Sequence, residues 1–249
     1  MEQLIKLIAK HDLIVAFLFV GIVLYVSYWI SKKLTNGKIP GAAIAITAGL
    51  VIAYFGGKKG IADIPLFAGM AVFGGSMMRD FSIVSTAMGA SISEIKKTGI
   101  IGMVSLMLGI SVAFFIGGAI GYVMGYHDIK SFVTIGAGAC TFIVGPVTGN
   151  AIGASSDVIA ISIAIGVVKS VLVTIMTPLV AKRVGLNNPQ TAMIYGGLIG
   201  TTSGVAAGLA ATNPKLVPYG ALTATFYTGL ACLLCPSVLY FILSFFLAA

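Results

Sequence analysis

Gly145-Pro146-Val147-Thr148-Gly149-Asn150-Ala151-Ile152-Gly153, followed by Ser155-Ser156-Asp157, sets a helix breaker, polar side chains and a carboxylate inside apolar sequence. A second stretch, Thr201-Thr202-Ser203-Gly204-Val205-Ala206-Ala207-Gly208 and then Thr212-Asn213-Pro214, repeats the pattern Thr/Ser-Gly-x-Ala-x-Gly. Interrupted, polar-centred segments at matching places in successive repeats are the sequence mark of a secondary transporter's binding site.

The surroundings of these two strings fix the solvent. The chain is 58% apolar with only 9% charged residues, far short of the roughly 25% charged residues of soluble domains. Runs without Asp, Glu, Lys or Arg extend over Leu13–Ser31, Ile39–Gly57, Thr98–His127, Ser131–Ser156, Val184–Pro214 and Leu216–Ala249. Each approaches or exceeds the ~20 residues that carry a helix across ~30 Å of hydrocarbon. The formal charge of +8 is dispersed in Lys32-Lys33, Lys58-Lys59, Lys96-Lys97 and Lys182-Arg183 at the ends of apolar runs. That distribution anchors helices to anionic lipid and excludes a nucleic-acid surface. Lys and Arg divide almost evenly between alternate loops, so they assign no orientation. Leu13 to Ile30 is too long for a signal-peptide core and no small-x-small site precedes Lys32, so it reads as a retained first span with Tyr25, Tyr28 and Trp29 as its interfacial belt.

The expected fold is an all-α polytopic membrane protein of about eight transmembrane or re-entrant helical segments. Spans are expected at 13–31, 40–56, 64–78, 98–125, 157–181 and 219–247, with broken or re-entrant helices at 132–153 and 191–211. Arg79 to Lys97 reads as an interfacial segment or the extension of a long tilted helix. The broken segments head two repeat units, approximately 132–181 and 191–247, because Thr177-Pro178-Leu179-Val180 and Cys235-Pro236-Ser237-Val238 follow them at similar distances. The whole chain, 1–249, forms a single transporter domain. Glycines four apart (Gly117, Gly121, Gly125; Gly145, Gly149, Gly153; Gly196, Gly200, Gly204, Gly208) draw smooth ridges for close helix packing.

Polar groups at membrane depth must be buried in protein or line a wet cavity. Thr148, Gly149, Asn150, Thr201, Thr202, Ser203 and Gly204 offer hydroxyls and open backbone to an anionic substrate. Gly145, Asn150, Ser155, Ser156, Asp157, Thr212 and Asn213 offer hard oxygens suited to a small cation, and no other metal or cofactor is expected. For any single Ser or Thr the competing reading is a bond to its own helix backbone. Lys169 lies about 11 residues from either end of its span, ~17 Å and beyond comfortable snorkelling reach. It needs a partner: a substrate carboxylate, Asp80 or Asp63 of another segment, or a group of another subunit. Arg79-Asp80 reads as an interfacial anchor ahead of a binding role. His11 and His127 sit beside aspartates at span ends and make no metal site. Cys140, Cys232 and Cys235 read as small buried helix residues.

Ala62-Asp63-Ile64-Pro65-Leu66-Phe67, Ile143 to Gly149, Ala151 to Val158, Gly185-Leu186-Asn187-Asn188-Pro189 and Gly200 to Thr212 together resemble the malonate transporter M-subunit (MadM) family, nearly end to end. The resemblance implies a multi-pass protein of the bacterial cytoplasmic (inner) membrane that works with a smaller membrane subunit, MadL, to import malonate by sodium symport. Three rival readings stand beside it. An intramembrane aspartyl protease needs a second embedded aspartate, which Asp157 lacks. A non-transporting scaffold has no need of polar broken segments. A carrier of another small mono- or dicarboxylate, or one coupled to protons, fits the same residues.

Overall fold

The computed structural model describes residues 11–36, 39–56, 60–73, 88 and 91–247. The chain divides into two compact units, Met1–Ser85 and Thr86–Ala249. Within the described residues the expected all-helical architecture holds, and four helices are long and apolar enough to cross a bilayer: Asp12–Leu34, Lys96–Val123, Ser156–Val180 and Pro214–Phe245.

The first unit contains α1 (Asp12–Leu34), α2 (Gly41–Tyr54), two 3₁₀ turns at Ile61–Asp63 and Pro65–Phe67, and the short α3 (Gly69–Phe73). The helix α1 exposes Ile14, Phe17, Leu18 and Ile22 and buries only Ala16, Ser27 and Ser31. Such inverted polarity is expected where the surrounding medium is hydrocarbon, since association there rests on close van der Waals contact through small residues. Ser31 Oγ donates to the Ile39 carbonyl at 2.6 Å across the α1–α2 turn, and Pro40 stands just before the first residue of α2, where its missing N–H costs nothing. The span expected at 64–78 begins as a 3₁₀ turn and the five-residue α3. Its remainder, with Arg79-Asp80 and most of the interfacial segment, lies outside the described residues.

The second unit opens with α4 (Ile92–Val123), whose helical geometry is interrupted at Gly99, φ 46°. Glu94, Lys96 and Lys97 therefore belong to the long helix, as in the second of the two expectations for this segment. Lys97 Nζ donates to Glu94 at 2.7 Å and Gln190 Nε2 donates at 2.5 Å, and the Lys97 hydrogen bond holds this carboxyl below its ordinary range. Then come α5 (Ile129–Cys140), α6 (Val144–Ile152), α7 (Ser156–Val180), α8 (Pro189–Ile199), α9 (Thr202–Thr212), α10 (Val217–Leu234) and α11 (Tyr240–Leu247). Between α10 and α11 the residues Cys235–Leu239 form a π turn. It accommodates Pro236, which has no N–H for an α-helical bond.

The segments expected to be broken are both helical hairpins. In the first, α5 and α6 lie antiparallel: Lys130 Nζ reaches the Gly153 carbonyl at 3.4 Å. The Thr134 methyl group and the Gly138 Cα stand 2.9 and 3.0 Å from where Cβ atoms on Gly149 and Gly145 would sit. Gly153 ends α6 in the left-handed region, φ 68°, and starts the turn into α7. In the second hairpin, α8 and α9 both return to the level of Thr177. Thr177 Oγ1 lies 2.8 Å from Tyr195 Oη of α8 and fills the space that a Cβ on Gly208 of α9 would need. Each hairpin begins with a side-chain cap, Asp128 Oδ1 accepting from Ser131 N and Asn188 Oδ1 from Thr191 N, both at 2.9 Å.

The position of α7 between them decides the architecture. The first hairpin enters from the N-terminal end of α7 and returns to it, and the second does the same at the C-terminal end. On α7 the buried residues are Val158 near its start and then Ser162, Gly166, Ser170, Thr174 and Thr177, a stripe of hydroxyls and glycine at helical spacing. Ser162 meets both limbs of the first hairpin through Gly138 and Gly145, and Thr177 meets both limbs of the second. The expected glycine ridges are partly redrawn by this arrangement. Gly117 and Gly121 do face α5. Gly196, Gly200, Gly204 and Gly208 do not form one ridge, because the chain turns back at Gly200, where φ is 81°.

A 25-residue helix is ~36 Å long, so Asp157 and Lys182 are expected on opposite membrane faces. Single cysteines at these exposed positions, in a variant with Cys140, Cys232 and Cys235 replaced by Ala, should react with a membrane-impermeant thiol reagent from opposite sides. Labelling of both from one side would exclude this topology.

Candidate hairpin-tip site

The two tips meet at the middle of α7. The first tip, Thr141–Ile143, lies against Gly166, where Phe142 N occupies the space that a Cβ on that glycine would need. Here Thr141 Oγ1 accepts from Ile143 N and Val144 N at 3.3 and 3.4 Å, so one hydroxyl caps the start of α6. The second tip is Gly200-Thr201. Thr201, fully buried, shares a 2.5 Å hydrogen bond with Ser170 Oγ, and Ser203 Oγ donates to Ser170 Oγ at 3.4 Å.

Lys169, one residue before Ser170, serves the first tip. Its Nζ donates to the carbonyls of Ala139 and Cys140 at 2.9 Å each and lies 5.6 Å from the centroid of the Tyr227 ring. The last four carbonyls of a helix have no intrahelical donor, and at the C-terminus of α5 they concentrate negative partial charge. The ammonium answers both deficits. Tyr227, fully buried, donates its hydroxyl to the Gly109 carbonyl at 3.1 Å, and its ring covers Gly200 at the second tip. One turn of α7 thus holds both tips, with Lys169 on one and Ser170 on the other.

Of the residues expected at a substrate site, Lys169, Thr201, Ser203 and Gly204 come together here. Thr201 and Gly204 are buried, Thr202 and Lys169 are half-buried and Ser203 is exposed. Thr148 and Gly149 are buried in α6, and Thr148 Oγ1, like Thr134 Oγ1 in α5, has no hydrogen-bond partner among the described residues. Asn150 is exposed in the last turn of α6, away from the tip.

The residues expected around sodium are not gathered. Gly145 is buried against Ser162 near the first tip. Ser155, Ser156 and Asp157 are exposed at the N-terminal end of α7. Thr212 lines a surface cavity with Ala181 and Lys182 at the other end of α7, and Asn213 Oδ1 accepts from Lys215 N at 3.2 Å in the turn that follows. A single ion cannot touch Asp157 and Thr212, which lie roughly a helix length apart. Among the described residues no group of three His, Cys, Asp or Glu is placed to hold a metal. Sequence reasoning missed Thr141, Ser170 and Tyr227. Thr141 and Thr201 each end the first limb of a hairpin, 60 positions apart, as are the caps Asp128 and Asn188 (201 − 141 and 188 − 128), and aligning the limbs on their caps would have exposed Thr141.

A family model described as the malonate/sodium symporter MadM subunit matches residues 4–247. The chain belongs to the MadM family. It is therefore a membrane subunit of a malonate/sodium symporter, which is what two polar hairpin tips enclosed by apolar spans are suited to serve. No curated protein and no solved structure matches the chain.

The Ser170–Thr201 bond is expected to fix the second tip. In a double-mutant cycle of Ser170→Ala and Thr201→Val, thermal unfolding in detergent should give a coupling of about 0.5–1.5 kcal/mol. Strict additivity would mean that the two hydroxyls do not act on each other.

Proposed function

We propose that this MadM chain, paired with a smaller membrane subunit of the MadL type, imports malonate with sodium across the bacterial cytoplasmic membrane, and that malonate binds where the two hairpin tips meet. It acts as a carrier and not as an enzyme. The observation that carries this reading is the convergence of both tips on Lys169 and Ser170, midway along a helix able to span the bilayer. A carrier needs one site that can be opened to either side, and a site between two hairpins inserted from opposite ends of α7 can be uncovered by moving either one. The segments 132–181 and 191–247 are on this reading two units of inverted topology, a hairpin followed by a span in each, as recurs in secondary transporters.

Lys169 supplies the positive charge that a dianion requires, while Ser170, Thr201, Thr202 and Ser203 supply hydroxyls and Gly204 an open backbone. The first turn of α9 adds N–H groups without intrahelical acceptors at Thr202, Ser203 and Gly204. Two negative charges entering against an interior-negative potential cost ~2.3 kcal/mol per charge per 100 mV, so at least two co-transported cations are needed to cancel the field on malonate.

Labelled malonate uptake in vesicles carrying this chain, alone and with the small subunit, tests the assignment when sodium is exchanged for potassium at fixed pH. Uptake is expected only with both subunits and sodium. Uptake indifferent to sodium would transfer the coupling to protons or to facilitated diffusion, and no uptake in any combination would exclude malonate as the substrate.

A further inference from the structure

The Lys169 ammonium occupies a place shaped for a cation. Two carbonyl oxygens, those of Ala139 and Cys140, point at one positive centre from equal distances of 2.9 Å. Both lie at the C-terminus of α5, beyond the last intrahelical donor. Ala137, two residues earlier, already has its carbonyl engaged by Thr141 N. Among the described residues no carboxylate lies within ion-pair distance of Lys169, and there its charge is met by carbonyl dipoles, the Cys140 sulfur and the Tyr227 ring. The ammonium is tethered to α7 and the carbonyls belong to the first hairpin.

We propose that the Ala139 and Cys140 carbonyls form a sodium site that Lys169 occupies as a stand-in cation when the carrier is empty, and that sodium entering it releases Lys169 to the malonate carboxylate. This deepens the malonate/sodium reading given above and rests on it. The coupling follows from electrostatics. Sodium at the carbonyls without malonate leaves two cations close together in a medium of low dielectric constant. Malonate on Lys169 without sodium strips the carbonyls of their donor and leaves them buried and unpaired. Each ligand removes the penalty of the other, which is positive coupling between two sites. The site also differs from the residues expected from sequence, since it uses backbone oxygens at mid-span and none of the side chains at the ends of α7.

The test is the melting temperature of the purified two-subunit complex in detergent, titrated with sodium chloride against potassium chloride at constant ionic strength, with and without malonate. A ligand that binds the folded form raises this temperature. The wild type is expected to respond to sodium and malonate jointly and only weakly to sodium alone. Lys169→Met removes the competing cation, so sodium alone should stabilise it at a concentration ~10-fold or more below that needed by the malonate-free wild type, and malonate should add nothing. Lys169→Arg keeps a cation on the carbonyls with a wider, more rigid head, so it should fold as the wild type does and require ~10-fold more sodium in the presence of malonate. Sodium dependence of either folded variant unchanged from wild type overturns the proposal, as does loss of the sodium response in a folded Lys169→Met complex. If Lys169→Met does not fold, Lys169→Arg decides alone. A wild-type complex indifferent to malonate and sodium under all conditions would instead count against the assigned function.

Discussion

A helix that stops in the middle of a bilayer leaves backbone carbonyls with no water to bond, and in this protein a single lysine ammonium meets two of them. The contact between Lys169 and the carbonyls of Ala139 and Cys140 is what allows α5 to end at mid-depth and the chain to fold back as α6. Without it the first tip would bury unpaired backbone acceptors, each costing about 1–3 kcal/mol. At the second tip the corresponding task falls to neutral groups: the Ser170–Thr201 hydroxyl pair and the Tyr227 ring over Gly200. The hairpin that depends on a charge and the hairpin that depends on hydroxyls therefore differ in how an ion or an anion can disturb them.

The packing around the tips follows from the same solvent. Lipid chains are as apolar as leucine, so burying leucine against leucine gains little, and the interior is built from residues that permit backbone contact. Phe17, Ile101, Met103, Leu172 and Phe245 face outward, while Ser105, Thr134, Ser162, Thr174 and Thr177 are buried. Most interior hydroxyls bond carbonyls of their own helix, as Thr174 does to Ser170 and Thr223 to Tyr219, which satisfies them without fixing a partner helix. Among those that bond across helices, Ser170 to Thr201, Thr177 to Tyr195 and Thr98 to Met193 mark where the second hairpin is held.

The sequence made the membrane environment, the two polar interruptions and the isolation of Lys169 legible, because charge-free runs and breaks within them are local properties. The exact turns were less so. Pro146 suggested a break at its own position, yet it lies in the first turn of α6, where its missing N–H has no intrahelical acceptor to lose. The chain instead breaks a few residues earlier, at Thr141–Ile143, where no proline stands. A buried cation points in sequence to a carboxylate of the substrate, of Asp80 or Asp63, or to another subunit, whereas the carbonyls that Lys169 meets among the described residues, which do not include Asp80, carry no sequence mark. Asp157 and Thr212 followed the two similar strings and were grouped accordingly, but similarity of sequence does not reveal direction. One crossing by α7 places the ends of the two hairpins on opposite sides.

A malonate site between the hairpin tips has to be open to water in one state and closed over malonate in another. Ser203, exposed beside the Ser170–Thr201 pair, reports on it directly. With Ser203→Cys in the two-subunit complex lacking other cysteines, a small water-soluble thiol reagent should label the residue from one membrane side. Malonate and sodium together should slow that labelling, while either alone should do so only weakly. Labelling at a rate indifferent to both ligands, or only by a lipid-soluble reagent, would contradict a transport site at the tips.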